Sequence, residues 1–270
     1  VAVAVAAAAP AGDALWTAFR ADLAATFVIF GFSFVLGNSS MYDPYWSVAP
    51  PLIVGSWIVA VMPAGDLIRQ GLLLMVVVAW GTRLTLNWQR GWTGLGHEDW
   101  RYVQIREQVG LLYWPVSLFG LHLFPTLIVF AGLWPAWEAV RAEAPWRTWE
   151  LVGPAVALGG MVVEGTADRQ LAAFRERAAG TAEVIREGLW RWSRHPNYVG
   201  EMMFWWGLWL TAVGADLRNA VTAWGALAMT AMFRFVSVPL MEERMLRRRP
   251  PYRQVIEEVP MFLPGMGGRS

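Results

Sequence analysis

At 270 residues, 56% hydrophobic and 16% charged, with a mean hydropathy of +0.37, the chain is too apolar for a soluble globular protein and reads as a polytopic membrane protein. Its 22 basic side chains, every one an arginine, nearly balance 21 acids and leave a formal charge of +1. Without cysteine there are no disulfides, thiolate metal sites or cysteine nucleophiles; without lysine there is neither a Schiff base nor a P-loop.

The chain opens on an Ala/Val tract too short to span a membrane and lacking the basic start of a secretory signal, so residues 1–21 are expected to form a disordered tail. A single all-α membrane domain is expected over 22–264, in two halves (22–134 and 151–264), followed by a second tail at 265–270. Apolar runs near 22–36, 48–62, 67–87, 111–134, 151–163, 202–213 and 220–240 predict about seven transmembrane helices, the shorter ones continuing into the headgroups. The 18 tryptophans are expected at the bilayer interface. No GxxxG repeat or internal duplication is evident.

Arginine sets the topology. One set of loops carries Arg90, Arg101 and Arg106, then Arg169 through Arg194, then Arg244 through Arg253, whereas the opposite set has Arg20, Arg69, Arg141, Arg147 and Arg218 beside several acids. The positive-inside rule places the first set in the cytosol and the amino terminus outside. Most of these arginines need do no more than orient the protein. The 167–193 loop and the tail after Met241 are more basic than that requires, and with the loop after Asn87 they suit a cytosolic cup for a phosphate-rich ligand.

Polar residues inside or beside the apolar runs carry the chemistry. Asn38 to Ser40 suit a turn and helix entry. Asp43, a carboxyl at the membrane edge, is placed to stay protonated and hydrogen-bond a carbonyl. In the third run Trp80, Arg83 and Asn87 share one helix face, and Glu164 is the expected structural partner of Arg83 as often as Arg83 faces a cavity. His122 reads as a satisfied interhelical hydrogen-bonder. Glu164, Asp168 and Arg175 form one stripe of a helix leaving the membrane, suited to a ribose beside phosphates or to a salt-bridged helix end. His195, Asn197, Tyr198 and Glu201 cluster where the next apolar run begins, a set able to read a carboxamide. The tail adds Arg234, Glu242, Glu243, the triplet Arg247 to Arg249 and Tyr252, which read as a solvated, membrane-facing patch. The single histidine spaced from Glu201 is a poor metal signal, and neither a metal nor a nucleic acid is an expected partner. No GxGxxG joins a strand to a helix, so a bound nucleotide would be held by membrane helices and their loops.

The run Arg194-His195-Pro196-Asn197-Tyr198-Val199-Gly200-Glu201 resembles the hallmark of the steroid 5-alpha-reductase superfamily, and the chain from its first span to Pro264 is similar to the bacterial membrane branch of that superfamily. The resemblance implies seven helices in a bacterial inner membrane, NADPH held from the cytosolic side, and reduction of a carbon–carbon double bond conjugated to a ketone in a steroid-like or isoprenoid lipid. It assigns Asp168, Leu171 and Arg175 to the adenosine and phosphate part of the cofactor, and Asn197, Tyr198 and Glu201 to the ribose and nicotinamide. Arg90, Glu164, Arg194, His195, Arg234 and Tyr252 complete the expected cofactor set, and Trp80, Arg83 and Asn87 the substrate pocket. Asp43 takes the place of a family glutamate that bonds the substrate ketone. Trp80 replaces a family tyrosine, so Tyr42 or Tyr45 is the expected source of a phenolic proton. The same Arg-His-Pro-x-Tyr-x-Gly core occurs in membrane methyltransferases that use S-adenosylmethionine, and a non-catalytic lipid-binding protein is a third reading.

Overall fold

The computed structural model describes residues 13–263, and all regular structure among them is helical. Of the tails expected at 1–21 and 265–270, residues 1–12 and 265–270 lie outside the described residues, whereas 14–21 is helix rather than disordered tail. Helix α1 (Ala14–Leu36) begins ahead of the expected Asp22, because Asp13 caps it by accepting a hydrogen bond from Trp16 N at 3.3 Å and because Leu15 and Ala18 find buried contacts. It stops at Gly37, whose φ of 67° suits glycine.

A buried 3-10 turn (Ser39–Tyr42) leads into α2 (Tyr45–Val61). Pro51 in α2 has no N–H for the carbonyl of Ser47, and α3 (Leu67–Gly91) presses against that carbonyl at Gly81, where a Cβ would lie 2.4 Å from the Ser47 oxygen. Next come α4 (Trp100–Val109), α5 (Tyr113–Val116), a π-helical stretch (Ser117–Leu123) and α6 (Phe124–Val140). The second half of the chain comprises α7 (Val152–Arg177), α8 (Pro196–Ala215) and α9 (Ala223–Met232). A second π-helical stretch (Phe233–Ser237) then leads to α10 (Val238–Arg248) and α11 (Tyr252–Glu258).

Five stretches are long and apolar enough to cross a membrane: Ala14–Leu36, Ser39–Val61, Leu67–Gly91, Trp100–Val140 and Leu217–Arg248. The expectation was seven. Helices α7 and α8, of 26 and 20 residues, make up the difference in number but do not meet both criteria.

These two helices pack against each other along their length, backbone on backbone. A Cβ at Gly160 would sit 2.4 Å from the Gly200 oxygen, one at Gly207 2.6 Å from Ala157 N, and one at Gly153 2.4 Å from Thr211 N. Gly153 and Gly160 on α7, and Gly200, Gly207 and Gly214 on α8, each recur seven residues apart, which keeps them on one face. The small-residue seam is thus present in the sequence, at a heptad spacing rather than as GxxxG.

The tryptophans do not all lie at an interface. Trp57, Trp80 and Trp205 are fully buried, with Trp80 stacked on Phe204 at 4.5 Å. Arg69 is more than an orienting charge. It is fully buried at the end opposite the long loops, donating from Nε to Glu150 Oε2 at 2.6 Å and from its other nitrogens to the carbonyls of Ala142 and Ala144. His122 is the satisfied bonder expected of it, meeting Ser33 Oγ at 3.0 Å and the Ser117 carbonyl at 2.9 Å.

Candidate functional site

The polar end of the bundle holds two adjoining cavities. The first, about 600 Å³, lies among α7, the start of α8, α10 and α11; the second, about 1140 Å³, lies between α3, α7 and the loop after α3. Asp99, Asp168 and Arg175 belong to the walls of both. The glycine seam creates this junction, since only a close α7–α8 approach brings Asp168 beside the first turn of α8.

Most of the expected cofactor residues line the first cavity. Asp168, Leu171 and Arg175 come from α7, and Asn197 and Tyr198 from α8, which starts at Pro196, the N1 position where a missing N–H costs nothing. The Oδ1 of Asn197 is buried without a hydrogen-bond partner. An orphaned acceptor of this kind costs stability unless a ligand N–H meets it. Arginines supply the opposite demand. Arg175, Arg244 and Arg248 line the cavity, and among the described residues none makes an ion pair with a carboxylate. Arg244 is held over the Trp100 ring at 3.6 Å.

Two expected cofactor residues have structural duties here. Arg194 donates to Glu242 Oε1 at 2.7 Å and to the carbonyls of Ile256 and Val259 at 2.7 and 2.9 Å, which spends its guanidinium on pinning the C-terminal segment. His195 stacks on Tyr198 at 5.5 Å and meets Glu242 Oε1 at 3.0 Å. Burial lowers its pKa below the ordinary 6.5 despite that carboxylate, so the ring is neutral near neutral pH. Tyr252 is also buried against the cavity, and burial raises its pKa above the usual phenol value.

Other expected residues lie elsewhere. Glu201 points into the bundle, accepting hydrogen bonds from Trp80 Nε1 at 3.0 Å and Trp205 Nε1 at 3.0 Å, and lines neither cavity. Asn197 and Glu201, one turn apart, therefore face different surroundings. Glu164 is buried and ion-paired with Arg83, the structural partnership anticipated for it, and Arg83 also reaches Asp168 Oδ2 at 3.3 Å. Trp80 is fully buried and is not a pocket residue, whereas Arg83 and Asn87 do line the second cavity. Arg90 lies at the second cavity rather than the first, and Arg234 is exposed beside the Phe235 ring, away from both.

Asp43 lines the second cavity, but neither neighbouring tyrosine reaches it. The Tyr42 hydroxyl bonds Thr126 Oγ1 at 2.8 Å and the Tyr45 hydroxyl bonds Asp22, both in a polar seam against α1 and α6. The phenol that meets Asp43 is Tyr102, which donates to Oδ1 at 2.5 Å from the first turn of α4. Sequence reasoning passed over Tyr102, Asp99 and Trp100 because they lay in a loop read only for its arginines. The available signal was Asp99 as an N-cap, its side chain accepting from Arg101 N at 2.8 Å, which puts Trp100 to Tyr102 on a helix. That loop is tied to the 3-10 turn by Asn38, whose Nδ2 donates to the carbonyls of Leu95 and His97 at 2.7 and 2.8 Å.

Residues 29–259 match DUF1295, a family described as a protein of unknown function. The chain is 26% identical over 269 residues to the uncharacterized protein C594.04c of Schizosaccharomyces pombe, a similarity covering 89% of this chain and 77% of that one. No solved structure matches. With the greater part of its length inside that match, the chain belongs to DUF1295, a steroid 5-alpha-reductase-like family.

Proposed function

We propose that the protein is an integral-membrane, NADPH-dependent reductase of an enone double bond in a hydrophobic lipid. In this reading α7 and α8 complete seven crossings, and the arginine-rich end bearing both cavities faces the cytosol, beneath a bacterial inner membrane, with the amino terminus outside. The observation that carries the reading is the first cavity: an unpartnered amide oxygen, Asn197 Oδ1, in a wall shared with three arginines that pair with no carboxylate among the described residues. That donor and acceptor set fits a nicotinamide dinucleotide, whose carboxamide offers N–H groups and whose phosphates need cations.

Arg175, Arg244 and Arg248 would hold the phosphates, Asp168 a ribose hydroxyl and Asn197 the carboxamide. When bound, the cofactor supplies a hydride. The chain supplies the rest. Asp43, in the wall of the second cavity, hydrogen-bonds the ketone oxygen and stabilises the enolate that develops there, an effect worth roughly 3–4 kcal/mol in a dry site. Tyr102 donates to one carboxyl oxygen of Asp43 and leaves the other to present the proton. Arg83 bridges Glu164 and Asp168, fixing the wall between the two cavities.

A thermal-shift panel on the purified protein tests the reading. At 100 times its dissociation constant NADPH should stabilise by about 2.7 kcal/mol. Stabilisation by S-adenosylhomocysteine instead would identify a methyltransferase, and indifference to both a non-catalytic lipid-binding protein.

A further inference from the structure

The second cavity is polar at one end and apolar at the other. On α3 the stripe Ala79, Arg83 and Asn87, each one turn from the next, faces it, and Trp88, Arg90 and Gly91 line it where the helix ends. On α7, Leu158 and Val162 line the deeper part and are 39% and 67% exposed, so the cavity is an open groove rather than an enclosed hole at that depth. Gly165 keeps the passage clear. A Cβ there would meet nothing nearer than Arg169 Nη1 at 4.0 Å.

The polar end carries surplus positive charge. Asp43 is engaged by Tyr102 at 2.5 Å, Asp168 by Arg83 at 3.3 Å and Asp99 by Arg101 at 2.8 Å. Arg90 from α3 and Arg169 from α7 are exposed in the lining, and among the described residues neither makes an ion pair with a carboxylate. The Nε of Arg83, in the same wall, is buried without a partner.

We propose that this cavity is a lateral lipid site for a single-chain lipid with an anionic head. The head sits between Arg90 and Arg169, and the chain descends between α3 and α7 into the bilayer. Beyond the charged residues α3 contributes only Ala79 opposite Leu158 and Val162, which suits one chain, and Arg90 and Arg169, with Arg175 in the same wall, have no acid partner among the described residues and select an anion. The inference refines the substrate class of the reductase reading, with Asp43 in the same wall. Binding itself needs no nucleotide, so the two stand or fall separately.

The full chain in phosphatidylcholine nanodiscs, without nucleotide, is exposed to palmitic acid bearing a mid-chain photoreactive diazirine and, separately, to the matching alcohol. The acid is expected to label α3 and α7 peptides in preference to the alcohol, and palmitate but not acetate to compete. Arg90→Gln with Arg169→Gln, both at exposed positions, should lower acid labelling by about tenfold for each charge-assisted contact removed, roughly 100-fold in all, and leave alcohol labelling unchanged. Gly165→Phe, which plugs the passage, should abolish labelling of both helices while stabilisation by NADPH persists. Equal labelling by acid and alcohol, labelling spread over all lipid-facing helices, or an unaltered pattern in the double arginine variant would overturn the proposal. Loss of NADPH stabilisation in the unmodified protein would overturn the reductase reading and leave this one standing.

Discussion

Replacing Asn197 with leucine, its near-isostere, should move two measurements in opposite directions. The buried Oδ1 lacks a partner, and Asn197 makes no side-chain hydrogen bond to the described residues, so the substitution deletes a desolvation cost and no contact. An unsatisfied buried acceptor costs about 1–3 kcal/mol, and the ligand-free variant should be more stable by about 1 kcal/mol. In a domain of this size that raises the Tm by about 2–4 °C. With NADPH the sign reverses. Losing one carboxamide hydrogen bond weakens affinity about tenfold, and stabilisation at a fixed concentration then drops from about 2.7 to about 1.4 kcal/mol. Thermal denaturation in detergent, with and without NADPH, reads both quantities. A variant less stable without ligand, and as responsive to NADPH as the parent, would refute the reasoning and make Asn197 a structural group.

Asp43→Asn should lower turnover of any identified enone about 100-fold with NADPH still retained, and Tyr102→Phe about tenfold, as measured by single-turnover cofactor oxidation. Gly200→Ala, whose Cβ would lie 2.5 Å from the Gly160 oxygen, should destabilise by about 1–3 kcal/mol in a thermal melt; an unchanged midpoint would show that the seam yields. Arg69→Met strands Glu150 and should cost about 3–5 kcal/mol, most of it restored by adding Glu150→Leu. The neutral, buried His195 gives a pH signature. Its pKa is lower folded than unfolded, so below pH 6.5 the unfolded chain takes up a proton that the folded one refuses. Stability should be level above that pH and fall below it by up to about 1.4 kcal/mol per unit, a slope that His195→Gln reduces.

What the sequence made legible follows the physics of each residue. Apolar runs and arginine asymmetry act over whole segments, so the helical membrane architecture and the polar end could be read directly. Asp168 and Arg175 could be grouped because they share a helix stripe, and Asn197 and Tyr198 because they are adjacent; the family resemblance alone joined the two groups. Glu201 could not be separated from Asn197, since one turn of helix is enough to turn a side chain from a cavity to a tryptophan pair, and spacing does not say which neighbour is waiting. Arg194 was expected at the cofactor and Arg69 only as an orienting charge because their partners, the carbonyls of Ile256 and Val259 and the carboxylate of Glu150, are distant in the chain. Tyr102 was hidden for the same reason: 59 residues separate it from Asp43, and only the fold of the intervening loop brings them together.

The glycine seam also decides where this protein can change. On the α7–α8 side, main chain touches main chain, and any added atom must move a helix. On the α3 side the same chamber is bounded by the tips of side chains, Ala79 and Asn87 among them, which can be enlarged or trimmed without shifting a backbone. Relatives that accept a different guest should therefore differ along α3, and a library built to change what the chamber binds should randomise that wall and leave the paired helices alone.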